Sequence, residues 1–352
     1  MIYSSLFFQL SRIIFLTVFS AAVAVFLTPL WTKILYKYKL GKQIRQDSNA
    51  PIFMSLHQKK AGTPTMGGVI MWGATLLITF FFFILSKTIN GFWSHINFLS
   101  RSQTWLPLAA MVGAALVGLI DDLLGVFHIG VKGGGLRIRE KVVLYTLIAI
   151  LGAWWFWVKL GFNTVTIPFL GSFQLGYWYI LYFIFIVVAT TFSMNETDGL
   201  DGLATGVAIA GYFSLLIVAF IKGKYDLAAF LATFLGTMVA FLWFNVYPAR
   251  FFMGDTGAMA LGITMGITAM FLDVSLYLPF FAFILVVESL SVIIQKIYKR
   301  IKHQKLFLST PIHHHFEAKG WPETKVTMRF WIIAGLMAAL GLALYFLNMF
   351  MI

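Results

Sequence analysis

Six of the thirteen Asp and Glu side chains in this 352-residue chain fall in three short motifs. They are Ile120-Asp121-Asp122, Asn195-Glu196-Thr197-Asp198-Gly199-Leu200-Asp201-Gly202 and Phe252-Met253-Gly254-Asp255-Thr256-Gly257, each at the end of a long apolar run. An Asp near hydrocarbon is costly, ~2.5–3.5 kcal/mol at the centre of a membrane helix. A shared divalent cation would offset that cost, so the motifs point to a metal-dependent site at a bilayer surface.

Asp121 and Asp122 end an apolar segment. Neighbours on a helix point about 100° apart, so one is expected to face the site while the other supports it. Carboxylates this close raise each other's proton affinity unless a cation intervenes, and acids at a helix C-terminus oppose its dipole. Asn195, Asp198 and Asp201 recur every third residue and would share a face if the segment were helical. Asn195-Glu196-Thr197 also fits the glycosylation pattern, a use rejected here because the segment adjoins a span on the cytoplasmic side. Asp255 sits in a flexible Gly-rich turn, one strong ligand next to Phe251 and Phe252. Those rings either anchor in the interface or stack on a planar group.

Basic and imidazole groups lie in other loops. Lys59-Lys60-Ala61-Gly62-Thr63-Pro64-Thr65-Met66-Gly67-Gly68 suits phosphate oxygens but lacks the spacing of a phosphate-binding P-loop. His313-His314-His315 is embedded, unlike a tag, and three consecutive His are a poor zinc spacing; contacts to phosphate or sugar fit better. Glu288 lies inside an apolar run, which makes it either a functional acid or a packing contact to a Ser or Lys.

The elements that must position these groups are membrane helices. Hydrophobic residues make up 60% of the chain and charged ones 11%, which describes an all-α polytopic membrane protein. About 20 apolar residues cross a bilayer, and ten candidate spans appear at 10–34, 67–85, 106–120, 142–158, 177–192, 203–221, 227–244, 259–271, 278–297 and 328–350. The eighth is short and Gly-rich, so a tilted, broken or re-entrant segment is expected there. The first is too long for a signal-peptide core and reads as a retained span. Loops after odd-numbered spans carry 20 of the 26 Lys and Arg. The positive-inside rule then puts these loops in the cytoplasm and both termini outside. All three acidic motifs land on the cytoplasmic face. The same bias accounts for the net charge of +13, so no nucleic-acid partner is expected. There is no Cys, hence no disulfide or thiolate chemistry. Residues 1–352 read as one transmembrane domain, and no span shows a periodicity that marks a dimer face, which leaves a homodimer open.

Together the motifs resemble the polyprenyl-phosphate N-acetylhexosamine-1-phosphate transferases over nearly the whole chain. The resemblance rests on Gly62 to Gly68, Asp121-Asp122, Asn195 to Gly202, Asn245, Phe252 to Gly257 and Pro311 to Phe316. The His run followed by Lys319-Gly320-Trp321-Pro322 resembles the muramoyl branch. That branch implies transfer of phospho-N-acetylmuramoyl-pentapeptide from UDP-N-acetylmuramoyl-pentapeptide to undecaprenyl phosphate, with magnesium, at a bacterial inner membrane. By motif position the resemblance makes Asp121, Asp122 and Asp255 the essential acids, with Asp255 the best magnesium ligand and Asp121 a second. Asn195, Asp198 and Asp201 match nucleotide-site residues, Phe252 the uracil-stacking ring, and Lys60 and Thr65 its lining. Asn245, His313, His314 and His315 match further substrate contacts. Two positions depart from the pattern. Glu196 stands where the family has an apolar residue, and Leu123-Leu124-Gly125 replaces a basic residue, a role left to Lys132 or Lys141. The alternatives are a sister transferase for another UDP-N-acetylhexosamine and an ion-coupled transporter. The transporter would need acids deep in several spans, and only Glu288 qualifies.

Overall fold

The computed structural model describes residues 2–41, 60, 62–89, 91–130 and 135–351. Lys42, Arg45, Lys59 and Lys132, counted above among the loop cations, lie outside them.

The helices are α1 (Ile2–Lys37), α2 (Val69–Thr88), the short α3 (Phe92–Ile96), α4 (Trp105–Val126), α5 (Ile138–Trp154), α6 (Trp178–Thr197), α7 (Leu203–Ile221), α8 (Tyr225–Asn245), α9 (Gly254–Phe271), α10 (Leu278–Phe281), α11 (Phe283–Lys302), α12 (Ile312–Ala318) and α13 (Glu323–Met351). A wide π turn, Trp155–Lys159, continues α5. Among the described residues, eight helices are long and apolar enough to cross a membrane, or nine if the bent pair at α10 and α11 counts as one. The sequence reading expected ten.

The difference lies in two elements. The expected eighth span is α9, a continuous helix rather than a broken one. Its four Gly, three Thr and one Asp dilute its apolarity. It tolerates them because it is the central post of the bundle, with every residue except Asp255 buried. Helices in a bilayer gain by close approach of small residues, not by apolarity towards each other. The break falls instead in the ninth span, where Ala282 leaves the helical region (φ −120°, ψ 35°) and the chain turns by 89°.

Lateral contacts show successive passes running in opposite directions between two ends. Arg12 near the start of α1 pairs with Asp226 at the start of α8, and Tyr36 at the end of α1 bonds the carbonyl of Arg250, past the end of α8. Thr75 of α2 meets Thr237 of α8, and Tyr145 of α5 meets Asn195 of α6. The ends of α4, α6 and α8 and the starts of α2, α5, α7, α9 and α13 therefore share one end. At the other, a hairpin of β1 (Thr164–Ile167) and β2 (Gly171–Gln174) pairs Val165 with Phe173 and is tied down by Asp273, which accepts from Thr166. These are the only named strands among the described residues. The β-branched run Thr164-Val165-Thr166-Ile167 favours a strand.

Candidate active site

The first cluster is built by three helix termini. α4 delivers Asp121 and Asp122, α5 begins just before Lys141, and α9 begins at Gly254. The angular offset of the acidic pair sends the two carboxylates to different partners. Asp121 is buried and accepts the Leu136 N–H. It also meets the Lys141 ammonium at 2.6 Å, and the same ammonium pairs with Asp255. Two carboxylates from separate helices thus converge on one cation. Asp122 turns to the start of α9 and accepts the N–H groups of Asp255 and Thr256, both at 3.1 Å. The Thr65 hydroxyl donates to it at 3.4 Å. Free amides at a helix N-terminus satisfy a carboxylate there, so the acid that strains the C-terminus of α4 stabilises the N-terminus of α9. Gly254 makes this possible: its φ is +74°, and a Cβ there would strike Asp122 and Thr65.

The second cluster lies across the Phe252 loop. Lys60 places its ammonium 2.7 Å from Asp201 and 2.5 Å from Glu323. Glu323 also accepts the Asp201 N–H at 2.6 Å, and Asp201 accepts the Ala249 N–H at 3.0 Å. The Lys60 ammonium stands 5.8 Å from the ring centre of Tyr247 and 5.9 Å from that of Phe252. Phe252 is half-buried, whereas Phe251 is fully buried against Phe241; of the two rings, Phe252 is the more accessible.

Several sequence expectations need correction in placement. Asn195, Asp198 and Asp201 do not share a helix face. α6 ends at Thr197, and the chain turns through Asp198 and Gly199 before α7 restarts at Leu203. Asn195 donates to the Tyr145 hydroxyl at 3.0 Å, while Asp201 joins Lys60. Asn245 is buried and works as a latch, accepting the Gly202 N–H at 3.1 Å and donating to the Phe251 carbonyl at 2.9 Å. It thereby fixes the second motif against the third. The three His lie on the short helix α12, where successive side chains diverge. His313 pairs with Glu288 and His314 with Glu317 at 2.7 Å, and His315 accepts the Leu308 N–H at 3.1 Å. Desolvation, then the nearby Lys319 charge, hold His315 below the ordinary imidazole value of 6.5. The partner of Glu288 is therefore an imidazole, where the packing alternative named a Ser or Lys. Glu196 is half-buried among the charges of Lys296, His313, Glu288 and Lys141.

Of the two cations named for the missing basic residue after Asp122, Lys141 lies beside Asp121 and Asp255, and Lys132 lies outside the described residues. Glu323 went unread in the sequence, although an acid just after Trp321-Pro322 at the start of a span is the available signal. Among the described residues no three His, Asp or Glu side chains form a metal-binding group; Asp121 and Asp255 are the pair whose oxygens converge.

An all-α bundle with acids, lysines and an aromatic ring gathered at one end fits a membrane transferase, and the comparisons define the class. The profile of Glycosyl transferase family 4 matches residues 104–273, so the protein is a multi-pass membrane glycosyl transferase. The phospho-N-acetylmuramoyl-pentapeptide-transferase signature 1 matches residues 60–70. A phospho-N-acetylmuramoyl-pentapeptide-transferase of Clostridium perfringens (strain 13) is 38% identical over 323 residues, covering 92% of this chain and 95% of that one. That of Clostridium novyi (strain NT) is 35% identical over 337 residues, 94% and 96% of the two chains. That of Caldanaerobacter subterraneus subsp. tengcongensis is 34% identical over 340 residues, 97% and 100%. The chain belongs to the phospho-N-acetylmuramoyl-pentapeptide-transferase family.

Proposed function

We propose that the protein transfers phospho-N-acetylmuramoyl-pentapeptide from its UDP carrier to undecaprenyl phosphate, giving lipid I and UMP for peptidoglycan synthesis. The observation that carries this reading is the convergence of Asp121 and Asp255 on one cation, at the same end as Lys60 and the half-exposed Phe252 ring. The site-bearing end faces the cytoplasm of a bacterial inner membrane and both termini face the periplasm. The bias of Lys and Arg to the loops at that end supports this orientation.

The donor set fits magnesium, which binds through one or two carboxylates and completes its shell with water and substrate phosphates; Asp121 and Asp255 would hold it. When bound, magnesium supplies charge neutralisation to the pyrophosphate and the departing UMP. The rest of the chemistry belongs to the chain. Phe252 offers a face to the uracil. Lys60 and Lys141 are point charges for phosphate oxygens. Asp122 fixes the first turn of α9 and so aims Asp255. An oxygen of the lipid phosphate attacks the phosphorus next to the sugar, and the bond to the UMP oxygen breaks with its electron pair leaving on UMP. A phosphate monoester has a second pKa of about 6, so the acceptor is mostly dianionic at neutral pH and needs little help to lose a proton. Asp121 then serves to organise charge, more than as a base.

Purified protein supplied with undecaprenyl phosphate, magnesium and UDP-N-acetylmuramoyl-pentapeptide is expected to release UMP. Release from UDP-N-acetylglucosamine but not from the muramoyl donor would overturn the assignment in favour of a sister transferase.

A further inference from the structure

Behind the turn that carries Asp198 and Asp201 lies a buried ion pair with no role in the steps above. Glu288, in the second turn of α11, and His313, at the start of α12, are both 0% exposed. His313 Nδ1 lies 2.9 Å from Oε2 of Glu288, and the His313 N–H points to the same oxygen at 3.5 Å. Oε1 of Glu288 and Nε2 of His313 have no hydrogen-bond partner. The imidazole presses against Gly199, where a Cβ would collide with Nε2. Beside it Ser289 donates to Ser193 at 2.7 Å, tying α11 to the last turns of α6.

An ion pair removed from water contributes little net stability, because desolvation cancels most of the attraction. What it supplies is one strongly preferred geometry. Here that geometry is transmitted through an imidazole to a glycine between two acids of the second motif. We propose that Glu288 is a positioning residue for donor binding: through His313 it sets the turn at Gly199 and so places Asp198 and Asp201. This rests on the reading of that turn as part of the donor site.

The charges facing His313 are Glu288 on α11, Glu317 on its own helix and Glu196 on α6, with the His314 ring 4.0 Å away between centroids and Lys296 facing Glu196. Burial works against the imidazolium, but these carboxylates outweigh it and hold His313 above the ordinary value of 6.5. Glu288→Gln keeps the shape and an acceptor oxygen but removes the main opposing charge, so His313 loses its proton at lower pH.

The test is steady-state UMP release by wild type, Glu288→Gln and Glu288→Asp across a pH series, varying each substrate in turn. The expected result for Glu288→Gln is a donor KM raised about tenfold at mildly alkaline pH, with kcat and the lipid KM little changed. Its rise in donor KM begins at lower pH than in wild type, and Glu288→Asp recovers part of the loss. If Glu288→Gln does not fold, as judged by thermal unfolding in detergent, Gly199→Ala displaces the same ring and is expected to raise the donor KM selectively. A wild type that releases UMP while the folded variants match it at every pH, or lose kcat and both KM values together, overturns the positioning role alone. A wild type that releases none overturns the donor-site reading.

Discussion

The two adjacent acids at the end of α4 have different duties, and the difference is measurable. Asp121 and Asp255 meet one ammonium, so Asp121→Asn and Asp255→Asn are expected to abolish most UMP release and weaken its magnesium dependence. Raising the pH will not rescue Asp121→Asn, since the acceptor phosphate is already ionised; recovery at high pH would restore the base role. Asp122 accepts two N–H groups of α9. Asp122→Ala should therefore cost about 1–3 kcal/mol of stability by stranding those donors, seen as a lower unfolding midpoint, besides its loss of rate. Lys141 gives a third prediction. Its ammonium sits between Asp121 and Asp255, where it competes with a divalent cation in the substrate-free protein. Lys141→Met is expected to bind Mn2+ about tenfold more tightly, a gain near 1.4 kcal/mol, as read by electron paramagnetic resonance without substrate. Unchanged or weaker binding would show that the lysine helps the metal site instead. The sequence marks Asp121 and Asp122 as a working pair because their types and spacing are local facts. It does not say which acid faces Lys141, because that depends on the rotation of α4 against α9. The same limit hid Glu323, which meets Lys60 across a separation of 263 residues.

At the scale of elements, α9 is the part the sequence describes least well. Its glycines suggest a breaker when weighed by solution propensity, where each costs roughly 1 kcal/mol against Ala. Within the bundle they are contact points. Gly262 abuts the backbone of Thr190 and Thr191 in α6, Gly257 faces Gly68 beside α2, and Gly118 of α4 lies against Asp255 and Thr256. These approaches bring the end of α4 and the start of α9 close enough for Asp121 and Asp255 to share the Lys141 ammonium. Gly262→Ala is expected to lose about 1–3 kcal/mol through overpacking against backbone that has nowhere to go, with a fall in activity as the start of α9 shifts. Gly113→Ala, in α4 with nothing within 4 Å of the added carbon, serves as the control and is expected to be neutral or slightly stabilising. Equal unfolding midpoints for the two variants would remove the close-packing account. The long apolar helices were legible because hydropathy and length decide them. The bend at Ala282 was not, since Leu278 to Val287 is apolar throughout and the turn is fixed by packing of Phe281 against α7 and α13 at Gly211 and Gly341.

The whole molecule divides its charges between two ends, and this division allows a direct test of orientation. The end with Lys60, Lys141, Lys296 and the basic tail of α11 gathers the acidic motifs as well. The opposite end is held by neutral contacts, by the pair of buried Arg12 and partly exposed Asp226 at 3.0 Å and by the hairpin. The proposed donor, which carries a pyrophosphate, would be drawn to the first end, and the positive-inside rule would put that end in the cytoplasm. The gathering of acidic motifs and basic loops at one end was legible from the sequence, because the Lys and Arg bias is a property of loops and needs no packing. The chain has no Cys, so single cysteines report cleanly. Leu170→Cys places a thiol on the hairpin at a position 70% exposed, and Leu306→Cys places one beyond α11 at a position 46% exposed. In intact spheroplasts a membrane-impermeant maleimide is expected to label Leu170→Cys at once and Leu306→Cys only after permeabilisation. The reverse pattern would place the acidic and basic cluster outside, away from any cytoplasmic nucleotide donor, and the proposed transfer would fall with it.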